Sequence, residues 1–166
     1  MNDDFATLYA YNRWADGLVL DACRKLTAEQ YAAEPVPGWS SVRSTICHIA
    51  TVTERWLRGI AGQEIASVPD EAQLLTIDDA GRVLDRAYQI ITAVLPSLTA
   101  EQLATPRTFH GRSREWVLPP WMVLRHVVNH STYHRGQVAA KLKRLGIEPP
   151  ATGQAFWTVA QSPQQT

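Results

Sequence analysis

Histidine recurs at every fourth residue in His126-Val127-Val128-Asn129-His130-Ser131-Thr132-Tyr133-His134. On an α-helix a four-residue step turns the side-chain direction by only about 40°, so these imidazoles form a ladder on one face. Neutral imidazole is the commonest side-chain ligand for divalent metals, and two rings one turn apart can reach the same ion. The apolar residues of the segment decide which two. Val123, Val127, Val138 and Leu145 make a stripe centred close to His134 and within roughly 60° of His130, with His126 at its edge. His130 and His134 are therefore expected to point inward, where ring nitrogens need partners and an ion would supply one. A helix-surface pair without metal is the competing reading.

A catalytic ion of the zinc type usually takes a third protein ligand. His48 is the candidate, because Thr45, His48, Ile49, Val52 and Trp56 share an arc of about 100° on another helical segment. Its ordinary alternative is a buried histidine bonded to a backbone carbonyl. His110 falls in an irregular loop. Cys47 points about 100° away from His48 and reads as a core residue. Glu54 lies on the opposite side of its helix from His48, as a solvated group or a cross-helix partner rather than a general base. Tyr133 and Gln137 flank the ladder and are candidates for binding the outer atoms of a ligand or cofactor, a packed Tyr and a surface Gln being the plain alternatives. No residue receives a catalytic role of its own. Some of the six tryptophans can frame a pocket for an apolar group.

Four long helical segments position these residues. Apolar residues from Phe5 to Leu26 recur at steps of three and four, giving a first helix over residues 4–26. Thr27 and Gln30 suit a capping box opening one short extra turn, and Pro35, Pro37 and Gly38 then break the chain. Ser40 or Ser41 caps a second helix that ends at Gly62. A third starts near Asp78-Asp79 with the core stripe Val83, Leu84, Ala87, Ile90, Ile91, Val94 and Leu95. Leu98-Thr99-Ala100-Glu101-Gln102 repeats Leu26-Thr27-Ala28-Glu29-Gln30 word for word. Either two related halves or one shared capping chemistry accounts for that. Phe109-His110-Gly111-Arg112 reads as a turn, at most a short hairpin, at a pocket mouth. The fourth helix opens at Pro119-Pro120, runs to Leu145 and stops at Gly146, with Pro149-Pro150 beyond. Gly136 in its middle implies close approach of another backbone, inside the bundle or across a dimer. A segment docked around Phe156-Trp157 completes one domain over residues 1–160, followed by a flexible tail, 161–166. With no convincing alternating strand, the fold class is all-α, a four-helix bundle with connections long enough for a crossover.

Composition narrows the function. The 166 residues balance 16 basic against 16 acidic side chains, which gives no electrostatic reason to bind nucleic acid or anionic membrane. No run approaches the ~20 apolar residues of a membrane span, and Met1-Asn2-Asp3-Asp4 does not open like a secretory signal. A cytoplasmic protein is expected, with Cys23 and Cys47 reduced.

The chain resembles the DinB/YfiT-like metal-binding bundles, a family named for a DNA-damage-inducible protein. The resemblance spans nearly the whole sequence. It is carried by Tyr11-Asn12-Arg13-Trp14-Ala15, by Ser41-Val42-Arg43-Ser44-Thr45-Ile46-Cys47-His48-Ile49 with Glu54-Arg55-Trp56-Leu57, and by the ladder extended through Arg135-Gly136-Gln137. It implies an up-down-down-up four-helix bundle, commonly a homodimer, with one divalent ion, zinc or nickel, on His48, His130 and His134. It further implies thiol-dependent chemistry, in which a low-molecular-weight thiol such as mycothiol or bacillithiol serves isomerisation or S-transfer. The expected function is therefore a metal-dependent thiol S-transferase or isomerase-like enzyme acting on a small electrophile, with a noncatalytic metal-binding stress-response protein or a metal-dependent hydrolase as alternatives. After Pro149-Pro150 the sequence departs from the family pattern: Ala151-Thr152-Gly153-Gln154 stands where members often place an acidic residue ahead of an aromatic one.

Overall fold

The computed structural model describes residues 2–111 and 114–161. Four long helices dominate: α1 (Asn2–Cys23), α3 (Val42–Ala61), α4 (Ile77–Val94) and α6 (Pro120–Arg144). Shorter helices α2 (Ala28–Ala32), α5 (Ala100–Ala104) and α7 (Gln154–Gln161) decorate them, together with 3-10 turns at Glu71–Gln73 and Leu95–Ser97. The boundaries follow from local chemistry. Ser41 Oγ accepts from the Ser44 amide at the start of α3, and Gly62, at φ 67°, ends that helix in the left-handed conformation that glycine adopts without strain. The repeated pentapeptide forms the same capping box twice: Thr27 with Gln30 opens α2, and Thr99 with Gln102 opens α5.

The chain is mostly helical, but the all-α expectation needs correction. β1 (Arg107–His110) and β2 (Glu115–Leu118) pair antiparallel, with Phe109 opposite Trp116. Four-residue strands are too short to show a clear alternation, and the one inward anchor, Phe109, is fully buried while Val117 is exposed. Phe109 packs against α3 at Gly59, where an added Cβ would meet Phe109 Cδ1 at 2.9 Å. Of the expected turn Phe109-His110-Gly111-Arg112, Arg112 lies outside the described residues; the Gly111 amide bonds to the Arg114 carbonyl.

Helix α3 packs chiefly against α4 and α6, and α1 against α6 and α4. One continuous core joins them, with Ala15, Ala50, Leu57, Ala87, Leu124, Val138 and Leu142 sealed from solvent. Tyr9 donates to the Leu124 carbonyl between α1 and α6, Arg24 meets Asp78 between α1 and α4, and Arg86 meets Glu54 between α4 and α3. At Gly136 nothing among the described residues lies within 4 Å of an added Cβ, so of the two expected approaches the one inside the bundle is not made. The terminal segment docks through Trp157, edge-on to Tyr11 at 6.3 Å, and through the Thr152 carbonyl, which accepts from the Tyr11 hydroxyl at 3.0 Å, whereas Phe156 is exposed. Gln161 closes α7 instead of beginning a tail, and the rest of the expected tail, 162–166, lies outside the described residues.

Candidate metal centre

Because α3 and α6 pack together, the first half of one brings His48 against the middle of the other. The ring centroids lie 5.1 Å apart for His48 and His130, 4.8 Å for His48 and His134, and 4.4 Å for His130 and His134. One ligand nitrogen from each ring falls within 4.8 Å of the others, and the Nε2 atoms of His48 and His130 stand 3.2 Å apart. All three side chains are half-buried, so the cluster sits at the rim of the core, open to solvent.

Two of the three outer nitrogens are held by acceptors. His48 Nδ1 bonds to Glu71 Oε1 at 3.1 Å, and His134 Nδ1 bonds to Gln137 Oε1 at 2.7 Å. A ring that donates from Nδ1 keeps its Nε2 lone pair, the form a metal ligand needs. His130 Nδ1 is buried with no hydrogen-bond partner. Burial, reinforced by the neighbouring His134, His48 and His126, pulls His130 down to about 3. His134 is also lowered, mainly by burial and then by His48 and Lys141, against the opposing bond to Gln137. His130 and His134, both disfavoured as cations, and the converging nitrogens of the three rings suit a divalent cation.

The remaining candidates separate cleanly. His126 is exposed, its ring 5.9 Å from His130 and 5.6 Å from Trp56, outside the convergent group. Tyr133 is 65% exposed and stands edge-on to His134 at 5.0 Å. His110 pairs with Glu115 in the hairpin. Glu54 is a cross-helix partner, as one reading had it, but it is fully buried between Arg58 and Arg86 and not solvated. Cys47 donates to the Leu74 carbonyl, and burial pushes its thiol up to about 11 and that of Cys23 up to about 12, so neither is a thiolate at neutral pH. Sequence reasoning missed Glu71, which reaches His48 from a 3-10 turn that no periodicity marks. Next to the ladder Trp56 meets Phe109 at 5.8 Å and Trp116 at 6.5 Å, an aromatic wall whose members the sequence did not single out among the six tryptophans. Among the described residues no helix is long and apolar enough to cross a membrane.

The chain belongs to the DinB family, whose model matches residues 1–165. It is 25% identical over 158 residues to Protein DinB of Bacillus subtilis strain 168, covering 92% of each chain. A DinB-like protein from Bacillus cereus has a solved structure similar to this one at a TM-score of 0.63, with 22% identity over 90% of this chain and 95% of that one. A DinB-like protein from Bacillus subtilis gives 0.65, with 18% identity over 89% and 98%. These likenesses in structure carry the fold alone.

Proposed function

We propose, from membership of the DinB family and the geometry of the cluster, that the protein is a metal-dependent enzyme using a low-molecular-weight thiol on a small electrophile, in S-transfer or isomerisation. His48, His130 and His134 would hold one divalent ion, zinc or nickel. The carrying observation is the convergence of three ring nitrogens while Glu71 and Gln137 occupy the outer nitrogens of two of the rings. An ion bound there supplies Lewis acidity and lowers the pKa of a thiol or water in an open position. The chain's own part is to orient the rings and to disfavour the charged forms of His130 and His134. Gln137 gives its carbonyl to His134 and retains its amide hydrogens for the outer atoms of a ligand, and Tyr133 offers a solvent-facing hydroxyl beside the same ring. Trp56 and Trp116 provide an apolar flank for the electrophile.

The same reading takes the long helices as an up-down-down-up bundle in one domain. Its support is the order of contacts: Tyr9 with Leu124 and Asp16 with Arg135 advance together, whereas Thr45 with Lys141 and His48 with His130 run in opposite senses. A cytoplasmic homodimer completes the proposal. Hydrolysis is the weaker alternative, since activating water calls for a free base and Glu71 is engaged by His48. Titrating cobalt-loaded protein with 2-mercaptoethanol and cysteine tests the proposal. A change in the visible spectrum on thiol addition is expected; no change with any thiol would favour a noncatalytic metal-binding protein.

A further inference from the structure

Lys141 lies two turns beyond His134 on α6 and is only 4% exposed. Its ammonium donates to Ser40 Oγ at 2.9 Å, to the Ser41 carbonyl at 3.3 Å and to Thr45 Oγ1. Every one of these acceptors is neutral. Among the described residues no carboxylate pairs with it, although buried lysines are seldom left without a counter-charge. Its surroundings deepen the imbalance. The three acceptors belong to the start of α3, whose first turn carries no acidic residue, so the positive end of that helix adds to the ammonium charge. The other buried cation of α6, Arg135, has Asp16 at 2.7 Å.

A cavity of about 340 Å³ opens over Lys141, walled by Trp39, Ser40, Gln137 and Ala140. Trp39 presents an exposed aromatic face, and Ser40 is exposed, its oxygen accepting from Lys141 while its hydroxyl hydrogen goes to Thr45 Oγ1 over a long 3.4 Å, a weak bond that a carboxylate can replace. Gln137 joins the cavity to the histidine cluster through its bond to His134. Seven helical residues separate Lys141 from His134, a rise of about 10 Å, within the span of one small molecule.

We propose that this cavity is the subsite for a carboxylate on a small molecule whose other end reaches the histidine cluster. A single ammonium and a single hydroxyl suit a monoanion better than a phosphate dianion, which they would leave under-neutralised. That the molecule is the thiol or the electrophile of the reaction rests on the metal-centred reading above; the anion site does not.

Acetate is the probe for the site itself. Added to metal-free protein at constant ionic strength, it is expected to shift the amide resonances of Ser40, Ser41 and Lys141 saturably. In Lys141→Met the midpoint should rise at least tenfold. Ser40→Asp places a carboxylate beside the ammonium and should abolish the response in a folded protein, which keeps the test decisive if Lys141→Met does not fold. No saturable shift in the wild type, or acetate binding that survives Ser40→Asp, overturns the site. A second arm tests its link to the metal centre in cobalt-loaded protein. There 6-mercaptohexanoate should bind at least tenfold tighter than 6-mercaptohexanol, and the preference should vanish in Ser40→Asp. Equal binding in the wild type overturns the link. A cobalt spectrum that no thiol perturbs sinks the metal-centred reading while the acetate result stands.

Discussion

His134 and Arg135 are neighbours in α6, yet their side chains lead to two clusters of opposite character. Arg135 enters a closed one. Its Nη1 donates to Asp16 at 2.7 Å and Asn12 at 2.6 Å, its Nη2 to Thr132 at 2.8 Å and Tyr11 at 3.2 Å, and Tyr88 donates to Asp16 at 2.6 Å. Charge is balanced, and of the guanidinium nitrogens only Nε lacks a partner. His134 enters an open one, where two Nε2 atoms face each other and His130 Nδ1 is unpartnered. Both clusters tie α6 to another helix. The first balances its charge within itself, as a structural network does; the second turns ring nitrogens toward one another with no charged group between them, an arrangement that could hold a metal ion.

The contrast can be broken most forcefully from the closed side. Asp16→Ala leaves the Arg135 guanidinium buried without a counter-charge, and removing one partner of such a pair costs about 3–5 kcal/mol. Urea unfolding of the metal-free protein should show that loss, while His48→Ala, at the solvent-facing rim, should cost about 1 kcal/mol or less. Similar losses in the two variants would show that the clusters do the same structural work.

From the open side the ranking reverses. His48→Ala, His130→Ala and His134→Ala should each lower metal affinity by more than about 100-fold, beyond what the loss of an outer partner causes, while His126→Ala keeps its metal. Elemental analysis of the four purified variants, made without a histidine tag, decides this. Equal loss at His126 would mean that the wrong rungs of the ladder were chosen.

A smaller effect belongs to the groups behind the ligands. Glu71→Ala and Gln137→Ala should weaken metal binding by about 10–100-fold through lost control of ring orientation and tautomer. Glu71→Gln, whose amide oxygen still accepts, should recover part of it. Competition with a chromophoric chelator measures all three, and wild-type affinity in Glu71→Ala would reduce its contact with His48 to an accident of the surface.

These features were unequally legible in the sequence. The ladder, the long helices and both capping boxes obey local rules of spacing, so residues four apart could be placed on a face before any fold was known. His48 could be proposed because its own helix has a readable stripe. Glu71 and Lys141 could not, since their meaning depends on which turn lies opposite them, and nothing periodic records that. The hairpin could be read only as a turn because its strands are too short for alternation, and Gly136 meets no neighbour among the described residues because it faces outward.

The gentlest prediction uses acid alone. In the metal-free fold His130 is held at about 3, against an ordinary value of 6.5, chiefly by burial. The groups around it from both helices and the adjoining turn are His126, His134, His48 and Glu71. Between those two values the unfolded chain binds a proton that the folded chain refuses, so stability should fall as the pH is lowered from 7 towards 4. His134, shifted the same way, adds to the slope. His130→Gln removes the largest contributor at the cluster and should flatten the dependence of the urea midpoint between pH 5 and 7. Asp16→Ala, which leaves the imidazoles alone, should keep that part of the slope while lowering the whole curve. If His130→Gln leaves the slope intact, the acid sensitivity lies elsewhere and the open cluster is better neutralised than its unpartnered nitrogen indicates.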